Sequence, residues 1–317
     1  MNANLVWRIA LALLLIIPTQ TLAAEGEIAL TFDDLPALTI LSDQGYVDYL
    51  NATILRKLRR RHFPAIGFVN EGQIDDFVKV RQVANLNRWI KAGMELGNHT
   101  YSHSSLNSIG AAAYVADIVR GETITKVLLQ RHGEQMRFFR YPYLETGNTA
   151  PVKHDVEAWL AAHGYRIAPV TIDADDWEFA EPYEDAIARR DRAHQRHIKA
   201  EYVAYTATRI DWAQRSAHAM FGRDVSHVML LHCTRLNADT LDDIAKLLRR
   251  AHLKPVTLTR AMMDPVYHQP DLYVGRDGID WLERWAASRN QQLPDDGNED
   301  PPADIQTAYD RVDNDRK

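Results

Sequence analysis

The sequence predicts an α/β protein, a (β/α)7-type barrel, closed or nearly so, with parallel strands inside and helices outside. Two patterns predict it. Short apolar runs alternate with stretches of helical periodicity, and seven strands separated by helices make a mainly parallel sheet. Five polar clusters then stand at or just beyond the ends of such runs: Thr31–Asp34, His99–His103, Arg140–Tyr143, Asp173–Trp177 and Leu230–His232. The C-terminal ends of the strands are the face on which α/β barrels carry active sites. An open doubly wound sheet also binds ligands there, but no Gly-rich phosphate loop follows the first strand, which argues against a nucleotide fold.

The elements follow in order. Ile28 to Phe32 reads as the first strand, and Val47, Leu50, Ile54 and Leu58 then recur at helical spacing. Ala65 to Val69 is the second strand, opened by Pro64, and Val83, Leu86 and Ile90 mark a helix that ends at Gly93. Met94 to Leu96 is a short third strand, and one helix is expected from about Ala111 to Leu129. Phe138 and Phe139 form the fourth strand; Val156, Trp159 and Leu160 mark a helix closed by Gly164. Arg166 to Ile172 is the fifth strand and Val228 to Leu231 the sixth. Leu241, Ile244, Leu247 and Leu248 form an amphipathic helix before a seventh strand at Val256 to Leu258. Residues 178–225 read as a helical insertion, either beside the site mouth or as remote scaffold. Beyond Arg289 the chain is acidic and Pro-containing, so residues 290–317 are expected to be a disordered tail.

The 317 residues, 46% of them hydrophobic, support a large core, and a net charge of −6 argues against nucleic acid as a partner. Arg59–Arg61 reads as a solvated helix end. Residues 1–23 read as a signal peptide: Arg8, an apolar run from Ile9 to Ile17, Pro18, then small residues at Thr21 and Ala23 before the cleavage point. The run is too short to span a bilayer comfortably, so no stable membrane insertion is expected after cleavage. Cys233 is the single cysteine, which excludes an internal disulfide. The expected address is the periplasm or the exterior, and the expected domain covers residues 24–289.

The clusters carry recognisable chemistry. His99 and His103 are spaced i,i+4, which on one helical turn would aim both imidazoles the same way. With one carboxylate they make a three-ligand centre that leaves a position open for water. Asp33 and Asp34 are adjacent at a strand end. A turn there would let both enter one pocket, one as ligand and the other as base for a water acidified by metal. Arg140 ends an apolar strand and needs a carboxylate partner if buried, for which Asp33 is suited. The backbone N–H of Tyr143 is placed to help hold an oxyanion. His232 follows an apolar strand, where Asp176 would fix its tautomer and raise its pKa, making it a general acid. Trp177 offers an apolar wall for an acyl group or a sugar face.

In order and in content these five clusters resemble the motifs of the polysaccharide deacetylase family, the NodB-homology domain of carbohydrate esterase family four. They span roughly Ile28 to Leu258. The resemblance implies a distorted barrel and hydrolysis of an N-acetyl group from an amino sugar of a polysaccharide or oligosaccharide. By motif position it makes Asp33 the base, and Asp34, His99 and His103 the metal ligands. Arg140 orients the base, Asp176 partners the acid His232, and Trp177 and Leu230 wall the acetyl pocket. Asp173 matches the first acid of its motif, with a less direct role. Metal-bound water would attack the amide carbonyl. The ligand set suits Zn²⁺, and also Co²⁺, Ni²⁺ or Mn²⁺. Two departures touch substrate-facing loops. Leu35 stands where the family usually has Gly before Pro, predicting a narrowed cleft or an altered turn, and Leu144–Thr146 separates the third motif from Gly147. The alternatives are an O-acetyl esterase acting on a polysaccharide and a metal-binding carbohydrate-recognition protein without turnover.

Overall fold

The computed structural model describes residues 26–41 and 43–313. The expected signal peptide lies outside them. Seven parallel strands run β1 (Gly26–Leu35), β2 (Ala65–Val69), β3 (Glu95–Asn98), β4 (Phe138–Phe139), β5 (Arg166–Ile167), β6 (His227–His232) and β7 (Leu253–Val256). In space the order is β5-β4-β3-β2-β1-β6. One edge of β1 is divided: β7 pairs with Gly26–Ala29, and β2 takes over from Leu30 to Leu35.

The sheet curls until it meets itself. The chain leaving β5 returns to β6 through a bridge between Ile172 and Met229, with Leu230 N donating to Ile172 O at 2.9 Å. The expected strand Arg166–Ile172 is therefore two pieces, one paired with β4 and the other with β6. Pro169 interrupts it, since proline has no N–H for a ladder. The Arg140 guanidinium occupies the gap, donating to the Ala168 and Pro169 carbonyls at 3.0 and 3.3 Å. This is the distorted parallel barrel that the sequence predicts.

Helices wrap the outside. They are α1 (Gln44–Arg61), α2 (Lys79–Lys91), α3 (Leu106–Arg120), α4 (Thr125–Arg131), α5 (Ala150–Ala162), α6 (Asp176–Ala188), α7 (Arg192–Phe221), α8 (Arg235–Arg250), α9 (Leu258–Ala261), α10 (Trp281–Arg289) and α11 (Ala303–Val312). Asp43 caps α1 by accepting from Tyr46 N at 2.7 Å. Val47, Leu50, Ile54 and Leu58 are fully buried against the sheet, each contributing about 1.5–3 kcal/mol of transfer free energy. The basic end of α1 pairs with Asp242 of α8, Arg60 and Arg61 at 2.7 and 2.6 Å, so it is a solvated helix end.

Two expectations need correction. The single helix over 111–129 is broken into α3 and α4 at Gly121. A Cβ on Gly121 would sit 2.3 Å from the backbone carbon of Thr100, so this close approach to the His99–His103 loop demands glycine. The stretch from 290 to 313 is not disordered. Trp212 holds the Pro294 carbonyl at 3.0 Å, Tyr205 holds that of Glu299 at 2.8 Å, and α11 buries Ile305 and Tyr309 against α6. Its polar composition hides an apolar pair four residues apart, which is enough to dock one short helix. Among the described residues no helix is long and apolar enough to cross a membrane.

Candidate active site

The five clusters converge at the C-terminal ends of the strands on a cleft of about 410 Å³. Asp33, Asp34, His99, His103, Tyr143, Trp177, Leu230 and His232 all line it. Arg140 and Asp176 lie behind, fully buried.

A β-bulge lets both aspartates enter. Between Phe32 and Leu35 the register of β1 slips by one residue against β2, and Asp34 takes a left-handed backbone with φ 55°. Leu35 then turns inward. It is fully buried, and its Cδ2 lies 2.4 Å from where a Cβ on Gly67 would stand. The expected narrowing of the cleft by Leu35 is thus absent, because a large residue over a small one fills the core instead.

His99 and His103 do not lie on a helix. They sit in the loop between β3 and α3, and left-handed backbones at Thr100 and His103 turn both rings inward. The loop is clamped from several sides. His103 N donates to Thr100 Oγ1 at 3.1 Å, Asp117 of α3 accepts from Tyr101 N and Ser102 N, and Gly72 N donates to Tyr101 O at 2.8 Å. His99 Nδ1 lies 2.9 Å from the Arg140 carbonyl, which fixes the tautomer with Nε2 facing the cleft. Burial pushes the His99 pKa down to about 4, so the ring is neutral and its Nε2 lone pair is available.

Asp34 Oδ1 is 3.7 Å from His99 Nε2 and 3.6 Å from His103 Nε2, and the three ligand atoms lie within 4.8 Å of one another. That oxygen is buried and accepts no hydrogen bond from any described residue. Burial opposes its charge, but the imidazoles of His103, His99 and His232 outweigh burial and hold the carboxyl below its usual range. An orphaned carboxylate oxygen facing two fixed imidazole nitrogens fits a divalent cation.

Asp33 stands beside this group and is held from behind. Arg140 Nη1 reaches its two oxygens at 3.3 and 3.1 Å, while Arg140 Nη2 donates to Thr31 Oγ1 at 3.0 Å. With its carbonyl partners, the buried guanidinium spends its donors on fixed acceptors and keeps one face for Asp33.

Across the cleft, His232 Nδ1 lies 2.6 Å from Asp176 Oδ1, and His232 N donates to Asp176 Oδ2 at 2.7 Å. Asn237 donates to the same Oδ2 and to the His232 carbonyl. Burial alone would lower the His232 pKa, but the Asp176 charge and hydrogen bond raise it to about 10. Burial, with Asp175 beside it, pushes Asp173 up to about 7.

The structure also brings in residues that the motifs do not contain. Gly278 lines the cleft, and a Cβ there would lie 1.6 Å from the Tyr143 carbonyl oxygen, so only glycine lets this loop back the Tyr143 turn. Arg284 of α10 donates to the Leu144 carbonyl and to Thr146 Oγ1, and Glu145 accepts from Ser105, so the unusual Leu144–Thr146 segment is anchored. Tyr309 of α11 packs edge-on to Trp177 with ring centroids 5.1 Å apart. The Ile305/Tyr309 spacing is the one local signal in the sequence for that wall.

Residues 23–168 match the polysaccharide deacetylase family. The chain is 28% identical over 155 residues to a peptidoglycan-N-acetylglucosamine deacetylase of Bacillus cereus, covering 49% of this chain and 47% of that protein. It is 28% identical over 160 residues to a chitin deacetylase of Arthroderma benhamiae, covering 50% and 37%. The chain thus spans less than half the length of these relatives. Among solved structures, a mutant of a CE4 family pseudoenzyme from Bacillus anthracis superposes with a TM-score of 0.51 at 15% identity, covering 75% of this chain and 67% of that one. A polysaccharide deacetylase from Bacillus cereus gives 0.50 at 16% identity, covering 73% and 91%. These likenesses concern the fold, and since one of the two is a pseudoenzyme, activity has to be argued from side chains.

Proposed function

We propose that this protein is a metal-dependent hydrolase that removes N-acetyl groups from amino sugars of a polysaccharide or oligosaccharide. The observation that carries the reading is the placement of a paired carboxylate and a paired imidazole around one metal-type triad. Asp33, paired with Arg140, is an acceptor; His232, paired with Asp176, is a donor; both face the cleft that holds Asp34, His99 and His103.

Asp34, His99 and His103 would hold the cation, and two nitrogens with one carboxylate oxygen suit Zn²⁺ among the candidates. When bound, such an ion supplies Lewis acidity, polarising an acyl oxygen and acidifying a water. Asp33 takes the proton from the attacking water, and Arg140, against both its oxygens, keeps that carboxylate aimed. The Tyr143 N–H supplies a donor for the oxyanion. His232 protonates the departing amine, which has to leave neutral, and Asp176 stabilises the imidazolium beforehand. Leu230 and Trp177 form the wall against which the acetyl methyl rests. The N-terminal signal reading and a glycan substrate together support export to the periplasm or exterior.

The test is acetate release from a panel of N-acetylated and O-acetylated glycans by the Zn²⁺-loaded protein. Release from N-acetylated oligomers supports the reading. Release confined to O-acetylated glycans overturns it in favour of an esterase, and no release with metal bound overturns it in favour of a binding protein.

A further inference from the structure

We propose that Arg209, on the long helix α7, is the positioning residue for the acid half of the site. The proposal rests on the reading of His232 as general acid. Arg209 belongs to the insertion, outside every motif and outside the family match. It is 6% exposed, and its Nε donates to the Asp173 carbonyl at 2.7 Å. Its Nη2 lies 3.9 Å from Asp280 Oδ2, and its guanidinium lies over the Trp212 ring at 4.9 Å.

Arg209 thus joins the backbone at Asp173 to the buried Asp280 carboxylate, and its charge favours the ionised form of the neighbouring Asp173, Asp175 and Asp280. Removing a buried cation from among acidic neighbours is costly. Here Asp173 and Asp175 form the turn that launches Asp176. Asp175 N donates to Asp173 Oδ1 at 3.0 Å, Asp175 is left-handed at φ 45°, and Asp176 opens α6 with His232 on its oxygens.

Two neighbours on the same stripe of α7 grip the same pair. Tyr205, one turn before Arg209, donates to Asp175 Oδ2 at 2.7 Å. Tyr202 donates to Asn237 Oδ1 at 2.8 Å, and Asn237 donates on to Asp176. Residues i, i+3 and i+7 of one helix thus hold the neighbours of the Asp176–His232 pair: Asn237, Asp175 and the Asp173 carbonyl. Arg209 supplies the charge in that arrangement; it does not touch the triad and meets the cleft lining only at the Asp173 carbonyl, so its effect runs through the orientation of Asp176.

Arg209→Met and Arg209→Lys test this on the full-length Zn²⁺-loaded protein, with melting temperature and zinc content measured alongside. The primary readout needs no substrate: the downfield proton signal of His232 Nδ1–H, identified by its absence in His232→Gln. The expected result for Arg209→Met is a displaced or broadened signal and a kcat on an N-acetylated oligomer lower by about 10–100-fold, with KM and zinc content little changed. Arg209→Lys, keeping the charge but not the Nε donor, is expected to fall between. An unmoved proton signal with unchanged kcat overturns the proposal, as does a kcat loss that tracks loss of zinc. If Arg209→Met does not fold, the same signal in Arg209→Lys decides. If the wild type releases no acetate, the deacetylase reading falls, while the proton signal still decides whether Arg209 positions the pair.

Discussion

The two halves of the cleft are built differently. The half with Asp33, Asp34, His99, His103 and Arg140 stands on the ends of β1, β3 and β4, where a bulge, a clamped loop, a carbonyl on an imidazole and the Arg140–Asp33 pair fix it. The half with Asp176 and His232 is fixed by side chains of the surrounding helices. Asn237 of α8, Tyr202, Tyr205 and Arg209 of α7, and Tyr309 of α11 hold it. The difference teaches that this site divides its labour. In the proposed mechanism the metal triad and the base stand on strand ends, whereas the acid relies on a charge pair that the surrounding helices hold.

Substitutions separate the halves. Asp176→Asn is expected to have the largest effect on the acid side: turnover near neutrality falls by about 10²–10⁴-fold while zinc is retained. It also moves pH dependence. In the folded wild type His232 titrates near 10 instead of 6.5. Its ion pair therefore stabilises fully below about 6.5, and that contribution is lost as pH rises through 10. Melting temperature against pH from 6 to 11 reads this, and the loss moves to lower pH in Asp176→Asn. Gly121→Ala strikes the other half. A Cβ against the Thr100 backbone displaces the histidine loop, so weaker zinc binding is expected with about 1–3 kcal/mol of lost stability. Calorimetric zinc titration and denaturant unfolding check it. Tyr309→Ala is the mildest: losing the contact to Trp177 raises KM by about 2–10-fold with kcat preserved.

The same division governed what the sequence made legible. Asp33–Asp34, His99–His103 and Arg140 are contiguous clusters after apolar runs, so their convergence could be foreseen from strand ends alone. The helical turn inferred for His99 and His103 was wrong in form: spacing i,i+4 does not distinguish a helix from a loop with two left-handed residues. Arg166–Ile172 reads as one strand because nothing local says that Arg140 will take the carbonyls around Pro169. Arg209 and Tyr205 look like ordinary members of a charged helix, since their partners are about thirty residues away. The tail from 290 to 313 is polar in composition, and only contact with α6 and α7 makes it a wall.

In the proposed mechanism one cleft unites a cation held by Asp34, His99 and His103 with Asp33 as base. The most direct measurement is acetate release from an N-acetylglucosamine oligomer by metal-stripped and zinc-restored protein, wild type beside Asp33→Asn. The account predicts no release after stripping and recovery on adding zinc. It also predicts that Asp33→Asn takes up the same zinc but turns over about 10²–10⁴-fold more slowly. Equal release before and after chelation, or full activity in Asp33→Asn, would contradict it.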